Sequence, residues 1–273
     1  MARVFLTAVL ALLLAACATV EGTGRQQVIL TSAGMENAQG ASAYREVLSQ
    51  EKPSNDAAMQ AVVERVGRRL AAVAPDRGFE WEFTLLESDQ VNAWCLPGGK
   101  VAIYTGILPY CENEAGLAAV MGHEIAHAIA RHGGERMSQG ILVAGTGVAL
   151  DVYMRERGVE PTDRAMWMGA FALGSQVGVM LPFSRSHELE ADYLGLVYMA
   201  KAGYDPAEAP RFWQRFASLS SGTPEFLSTH PDSGRRSDAL SAEQDRAAAL
   251  YQQAPQQYGL GETFPARYRK ATP

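Results

Sequence analysis

The stretch His123-Glu124-Ile125-Ala126-His127 constrains this chain more than any other. Ala118, Val120, Met121, Ile125, Ala128 and Ile129 make its surroundings apolar on several sides, which predicts a buried helix. Asn113 is a suitable N-cap, and the helical signal runs to Gly133. Two histidines four apart stand one turn above the other, so both imidazoles can meet one metal ion. Glu124 lies about 100° around the helix from His123, near enough to reach a water at that metal without being a ligand. Burying these groups without partners is costly, so a fold that contains this helix has to satisfy them. A metal does so; two core histidines with ordinary hydrogen-bond partners are the bland alternative.

The pattern is the HExxH arrangement of zinc peptidases. A catalytic zinc needs a third protein ligand and an open position. One known solution places Gly and His three and six residues beyond the second histidine, but those positions are Ala130 and Gly133. His132, nine residues from His123, falls on the opposite face and reads as a solvated or helix-end residue. The remaining option is a carboxylate from a second helix. In the segment Ser184 to Asp192, Glu188 and Asp192 share a face, while Glu190 points about 200° away from Glu188. Like charges at that spacing repel. Ligation by Glu188, with Asp192 accepting a proton from a ligand histidine, reconciles them; a solvated acidic face is the alternative.

Elsewhere the pattern is mixed. Residues 35–50 and 56–74 have helical spacing, Phe79 to Leu86 alternate as a half-buried strand, and Lys100 to Thr105 read as a second strand. The turn Pro97-Gly98-Gly99 introduces that second strand. From Asn113 the signals are helical almost to Gln253, which gives an α+β class, mainly helical, with a small sheet beside the HExxH helix. Gly98, Gly99, Lys100 and Val101 are candidates for holding an extended substrate by backbone pairing, and they read equally as an ordinary hairpin. Two apolar stretches, Ile141–Leu150 and Ala165–Leu181, are expected to pack on the catalytic core, with contact to a membrane surface as the other reading.

Composition closes off other classes. With 273 residues, 47% hydrophobic and 20% charged, the chain can bury a sizeable core. A net charge of −6 leaves no basic field for nucleic acid. Cys17, Cys95 and Cys111 are too few for a disulfide scaffold, and spacing does not decide whether Cys95 and Cys111 pair. Val4 to Leu14 form an apolar run about half the ~20 residues that span a bilayer. The run ends in Leu14-Ala15-Ala16-Cys17, which resembles a bacterial lipobox. That resemblance implies a signal peptide over 1–16, lipidation at Cys17 and membrane attachment through it. A polar tether over 17–34, a peptidase domain over 35–253 and a poorly ordered tail over 254–273 complete the expected organisation.

Four segments taken together resemble the HtpX-like and CAAX-prenyl-protease family of zinc metallopeptidases, a gluzincin group, in particular its periplasmic lipoprotein branch. They are Val91 to Gly99, the HExxH helix, Ser184 to Asp192 with its ExxxD core, and Ser228-Thr229-His230-Pro231 with Arg235. The resemblance implies one Zn2+ per chain held by His123, His127 and Glu188. It makes Glu124 the general base, Asp192 a partner behind a ligand, and His230 a group that caps the metal or steadies the oxyanion. Arg236 departs from the family pattern, which has an aliphatic residue there, and only local packing is expected to change. The implied activity is endoproteolysis of misfolded or misassembled envelope proteins by an outer-membrane lipoprotein facing the periplasm. A lipoprotein chaperone or assembly scaffold with a latent or structural zinc is the competing reading; the retained Glu124 argues against it. The sequence leaves the oligomeric state open.

Overall fold

The computed structural model describes residues 16–217, 226, 230 and 233–269, without the side chains of residues 177, 181–183 and 233–235. The expected signal peptide lies almost wholly outside these residues, as do Ser228, Thr229 and Pro231 and the Arg235 side chain. Contacts divide the chain into two units, Met1–Ala33 with Arg131–His187, and Gly34–Ala130 with Glu188–Pro273.

The larger unit is built on a three-stranded sheet. Strand β3 (Glu82–Leu86) runs parallel to β5 (Lys100–Tyr104), and β4 (Ala93–Leu96) runs antiparallel to it through the Pro97-Gly98-Gly99 turn. Every residue of β5 is buried, as a central strand requires. Two helices precede the sheet, α1 (Ala33–Gln50) and α2 (Ala57–Ala71). Asp56 caps α2 by accepting from the Met59 N–H, and Met59, Val62, Val63, Val66 and Leu70 bury one stripe. Gly67 lies so close to the Phe83 ring that a Cβ there would collide with it.

After a short helix α3 (Leu108–Cys111), α4 (Glu114–Ile129) carries the HExxH motif, and every residue of it except His127 is buried. Its N-terminus is capped twice. Asn113 accepts from the Gly116 N–H at 2.9 Å, and the Glu262 and Leu260 carbonyls accept from Glu114 and Ala115. Those carbonyls come from the segment expected to be a poorly ordered tail. Instead it bridges Asn113 and Tyr204 through Thr263 and Gly259, and Phe264 is buried. The reason is the unfilled donors at the start of a buried helix, which need acceptors from somewhere in the chain. Helix α4 ends sooner than expected, at Ile129, where Arg131 takes a left-handed conformation at φ 60°.

The smaller unit contains an antiparallel hairpin, β1 (Cys17–Thr19) with β2 (Gln26–Val28), and two long helices, α5 (His132–Glu156) and α6 (Pro161–Ser175). The expected 17–34 tether is thus structured: Ser138 Oγ accepts from the Leu30 N–H, and Arg25 pairs with Glu135. His132 is buried with its ring stacked 4.3 Å from His187, contrary to the solvated position expected. Helix α6 has no buried residue, so it does not pack into a core as expected. A π turn (Gln176–Met180) follows it and leads into α7 (Leu181–Lys201). The run Pro161–Lys201 is long and apolar enough to cross a membrane by length and composition alone. Helix α7 passes into the larger unit at Glu188, followed there by α8 (Glu208–Ala217), α9 (Ser233–Ala242) and α10 (Gln244–Gln252).

Candidate metal centre

Helices α4 and α7 bring the predicted ligands together because their backbones touch. A Cβ on Gly195 would stand 2.7 Å from the His123 nitrogen, and one on Gly122 would stand 3.0 Å from the Gly195 carbonyl. Glycine at both positions lets α7 approach until Glu188 and Asp192 reach the α4 histidines.

His123, His127, Glu188 and His230 each offer one donor atom, and these atoms lie within 4.8 Å of one another. His127 Nε2 is 3.0 Å from His123 Nε2, and Glu188 Oε1 and Oε2 lie 3.5 and 3.4 Å from those two nitrogens respectively. His230 Nδ1 stands 2.9 Å from Glu188 Oε2. The His127 side chain is 15% exposed against 1% for His123, so the cluster opens to solvent on the His127 side. Glu190 is buried but lies outside the cluster, as its position on the helix predicts.

The groups behind the ligands set their orientation. Asp192 Oδ1 is 3.0 Å from His123 Nδ1, which leaves Nε2 for the cluster. Asp192 is itself gripped by Arg236, whose Nε and Nη2 lie 2.7 and 2.6 Å from Oδ2 and Oδ1. Arg236 is 1% exposed and stacks 3.5 Å above the Trp213 ring. It therefore belongs to the site and not merely to the packing of the last helix, a role the sequence reading missed. The signal was its place beside the motif arginine Arg235; two adjacent residues differ by about 100° on a helix, and pattern alone does not say which one faces inward.

Burial and Arg236 push the His123 pKa down, but hydrogen bonds to Asp192 and Glu188 outweigh them and hold it up at about 9. Burial raises Glu188 and Asp192 too, yet His127 and the other site histidines for the first, and Arg236 for the second, bring both below the usual carboxylate range. His123 thus holds a proton that a bound cation would displace. Glu124 behaves differently. Burial pushes its carboxyl up, and its Oε1, 3.4 Å from His230 Nε2, has no hydrogen-bond partner among the described residues. Two or three imidazoles with one carboxylate, buried and facing one point beside an orphaned carboxylate oxygen, form a donor set that fits zinc.

Gly98, Gly99, Lys100 and Val101 are not placed as expected. Strand β5 is the middle strand, its backbone engaged by β3 and β4, and the Lys100 amine pairs with Glu82. It has no open edge for a substrate, because β3 adds to the side that a lone hairpin would leave free. The edge strand next to α4 is β4. Cys95 on β4 feels the Glu124 charge, and its thiol, like that of Cys111, is raised chiefly by burial; both are free thiols.

The model of peptidase family M48 matches residues 53–244. The mitochondrial metalloendopeptidase OMA1 of Schizosaccharomyces pombe is 37% identical over 177 residues, 64% of this chain and 50% of that protein. OMA1 of Saccharomyces cerevisiae is 34% identical over 189 residues, 65% and 51% of the two chains. The β-barrel assembly-enhancing protease of Escherichia coli K12 is 30% identical over 206 residues, 73% and 42%. The chain spans about half the length, or less, of these relatives. The matched span holds the two α4 histidines, Glu188, Asp192, His230 and Arg236, and on that ground this chain belongs to peptidase family M48.

Proposed function

We propose that this protein is a zinc-dependent endopeptidase of the bacterial cell envelope, anchored through a lipid on Cys17 and cleaving misfolded or misassembled envelope proteins. The observation that carries the catalytic part is Glu124: a buried carboxylate with a raised pKa and a free oxygen beside the donor cluster. His123, His127 and Glu188 would hold the metal, which when bound supplies Lewis-acid polarisation of the scissile carbonyl and a lowered pKa for water. Glu124 takes the proton of the attacking water and delivers it to the leaving amine. His230, within reach of both Glu124 and Glu188, donates to the developing oxyanion. Asp192 and Arg236 keep the His123 ring in its working tautomer. An extended substrate is read along β4, an outer strand of the sheet among the described residues, where backbone pairing gives broad sequence preference. The name of one relative, a β-barrel assembly-enhancing protease, supports an envelope substrate, and the Cys17 lipobox supports the anchor.

The four-donor cluster favours one other reading, a latent or structural zinc closed by His230 in a chaperone or scaffold. Turnover of casein or a denatured porin separates them, measured with zinc content on wild type and His230→Ala. Loss of about 10²-fold in kcat with zinc retained supports the oxyanion role. A gain of activity marks His230 as a cap, and no turnover by any zinc-loaded form favours the scaffold.

A further inference from the structure

A cavity of about 460 Å3 opens beside Cys17 within the smaller unit. Its volume falls in the ~300–1,000 Å3 range of sites that enclose a small apolar ligand. Val28, Leu142, Val143, Phe171 and Val179 give it apolar walls, and Cys17 lines it too, as does Glu135, whose carboxylate is paired with Arg25 and His187. Gln27 and Gln139 also line it, only 6% and 9% exposed. Gln27 Oε1 and Gln139 Nε2 have no hydrogen-bond partner among the described residues, which buried amides rarely tolerate. An apolar hollow with one spare donor and one spare acceptor has the chemistry of an acyl site. The hydrocarbon fills the hollow, and the ester or amide group at its head meets the glutamines.

The strand geometry indicates where such a chain comes from. In the β1–β2 hairpin Cys17 lies opposite Val28, and the Ile29 N–H donates to the Ala16 carbonyl at 2.9 Å. Lipidation at Cys17 would take a diacylglyceryl group from a phospholipid, the C–S bond forming as the headgroup leaves with the bonding pair and the thiol proton. Water then cleaves the Ala16–Cys17 peptide bond. The freed amine takes an acyl group from a phospholipid ester: the amide C–N bond forms, the ester C–O bond breaks, and the amine proton goes to the departing alkoxide. The new amide carbonyl stands on the same nitrogen as the lost Ala16 carbonyl, so the Ile29 N–H keeps an acceptor and the hairpin survives processing. We infer that one acyl chain of the modified Cys17 folds back into this cavity, leaving the others for the bilayer. The inference rests on the reading of Cys17 as lipidated. It makes the anchor part of the fold of the smaller unit.

The test uses the full chain from cells fed a fatty acid with a terminal diazirine, purified in detergent, irradiated and mapped by mass spectrometry. The expected result is a lipid mass on Cys17 with intramolecular crosslinks on the peptides carrying Leu142, Val143 and Phe171. Val143→Trp, which fills the hollow, should keep the lipid, zinc and casein turnover and lose those crosslinks. If that variant loses zinc it has misfolded, and the wild-type map decides alone. A labelled Cys17 that crosslinks only to detergent or to other peptides overturns the cavity assignment and leaves lipidation standing. An unlabelled Cys17 overturns the anchor and this inference with it. The same crosslinks in Cys17→Ser chains would show that a bilayer lipid, and not the chain's own anchor, occupies the hollow.

Discussion

Helices α4 and α6 are nearly equal in length, 16 and 15 residues, and both are rich in apolar side chains, yet the fold treats them in opposite ways. All of α4 but His127 is buried, whereas α6 has no buried residue and shows Met166, Trp167 and Leu173 at 64, 57 and 67% exposure. What separates them is what they carry. Helix α4 holds ionisable groups whose chemistry depends on being dry, so strands, helices and the C-terminal segment enclose it and satisfy its first N–H groups. Helix α6 holds nothing that needs enclosure, and its apolar surface is of the kind that meets a membrane or another protein.

The largest effect should come from the dry helix. Glu124→Gln should lower turnover by about 10²–10⁴-fold with zinc content unchanged, because only proton transfer is lost. Equal cleavage by variant and wild type would remove the functional meaning of the burial contrast. Next is Arg236→Ala, which leaves Asp192 buried without its cationic partner; such losses cost about 3–5 kcal/mol. Chemical denaturation measures it, and Arg236→Lys should recover only part, since an ammonium lacks the two-pronged grip.

Gly195→Ala probes the contact that joins α4 to α7. Overpacking there should cost about 1–3 kcal/mol and weaken zinc binding, because Glu188 would be carried away from His123. Unchanged zinc affinity would mean that the helices can separate without disturbing the ligands.

In the smaller unit the effects shrink. Burial raises the Glu135 carboxyl, but hydrogen bonds from His187 and Arg25 outweigh it and hold the pKa below its ordinary value. The stability it contributes is complete above the ordinary carboxylate value of about 4.3 and is lost as pH falls through the lowered folded value. Melting curves should therefore fall less steeply on acidification for Glu135→Gln than for wild type. Smallest of all, Trp167→Ser with Leu173→Ser should change stability by no more than about 0.5 kcal/mol per site and leave casein cleavage intact. Adsorption to phospholipid vesicles is the quantity it should reduce. A large loss of stability would show that α6 is covered in solution.

The parts of the site legible in the sequence are those that one helix fixes by its own geometry. His123 with His127, Glu124 beside them, and Glu188 with Asp192 and without Glu190 all follow from a 3.6-residue period. What was not legible depends on distant pairing. Nothing in Lys100–Tyr104 reveals that β3 will add beside it in parallel and close the edge assigned to substrate. Nothing in the Gly- and Gln-rich end of the chain reveals that Leu260 and Glu262 will cap a helix about 150 residues earlier. The hairpin at Cys17 escaped notice for the same reason, its strands being three residues each and too short for alternation to register.

The places where the chain passes between its units have a consequence for how such a protein can diversify. It leaves the metal-binding unit after Ala130, three residues beyond His127, and returns at Glu188, itself a ligand. Residues 131–187 therefore connect two ligand-bearing helices, and the approach of those helices to each other is fixed by the close contact of Gly122 with Gly195. A change in the length of this connection that spares Gly122 and Gly195 would leave the two helices in contact, so the surface offered by residues 131–187 can vary without redesign of the donor cluster.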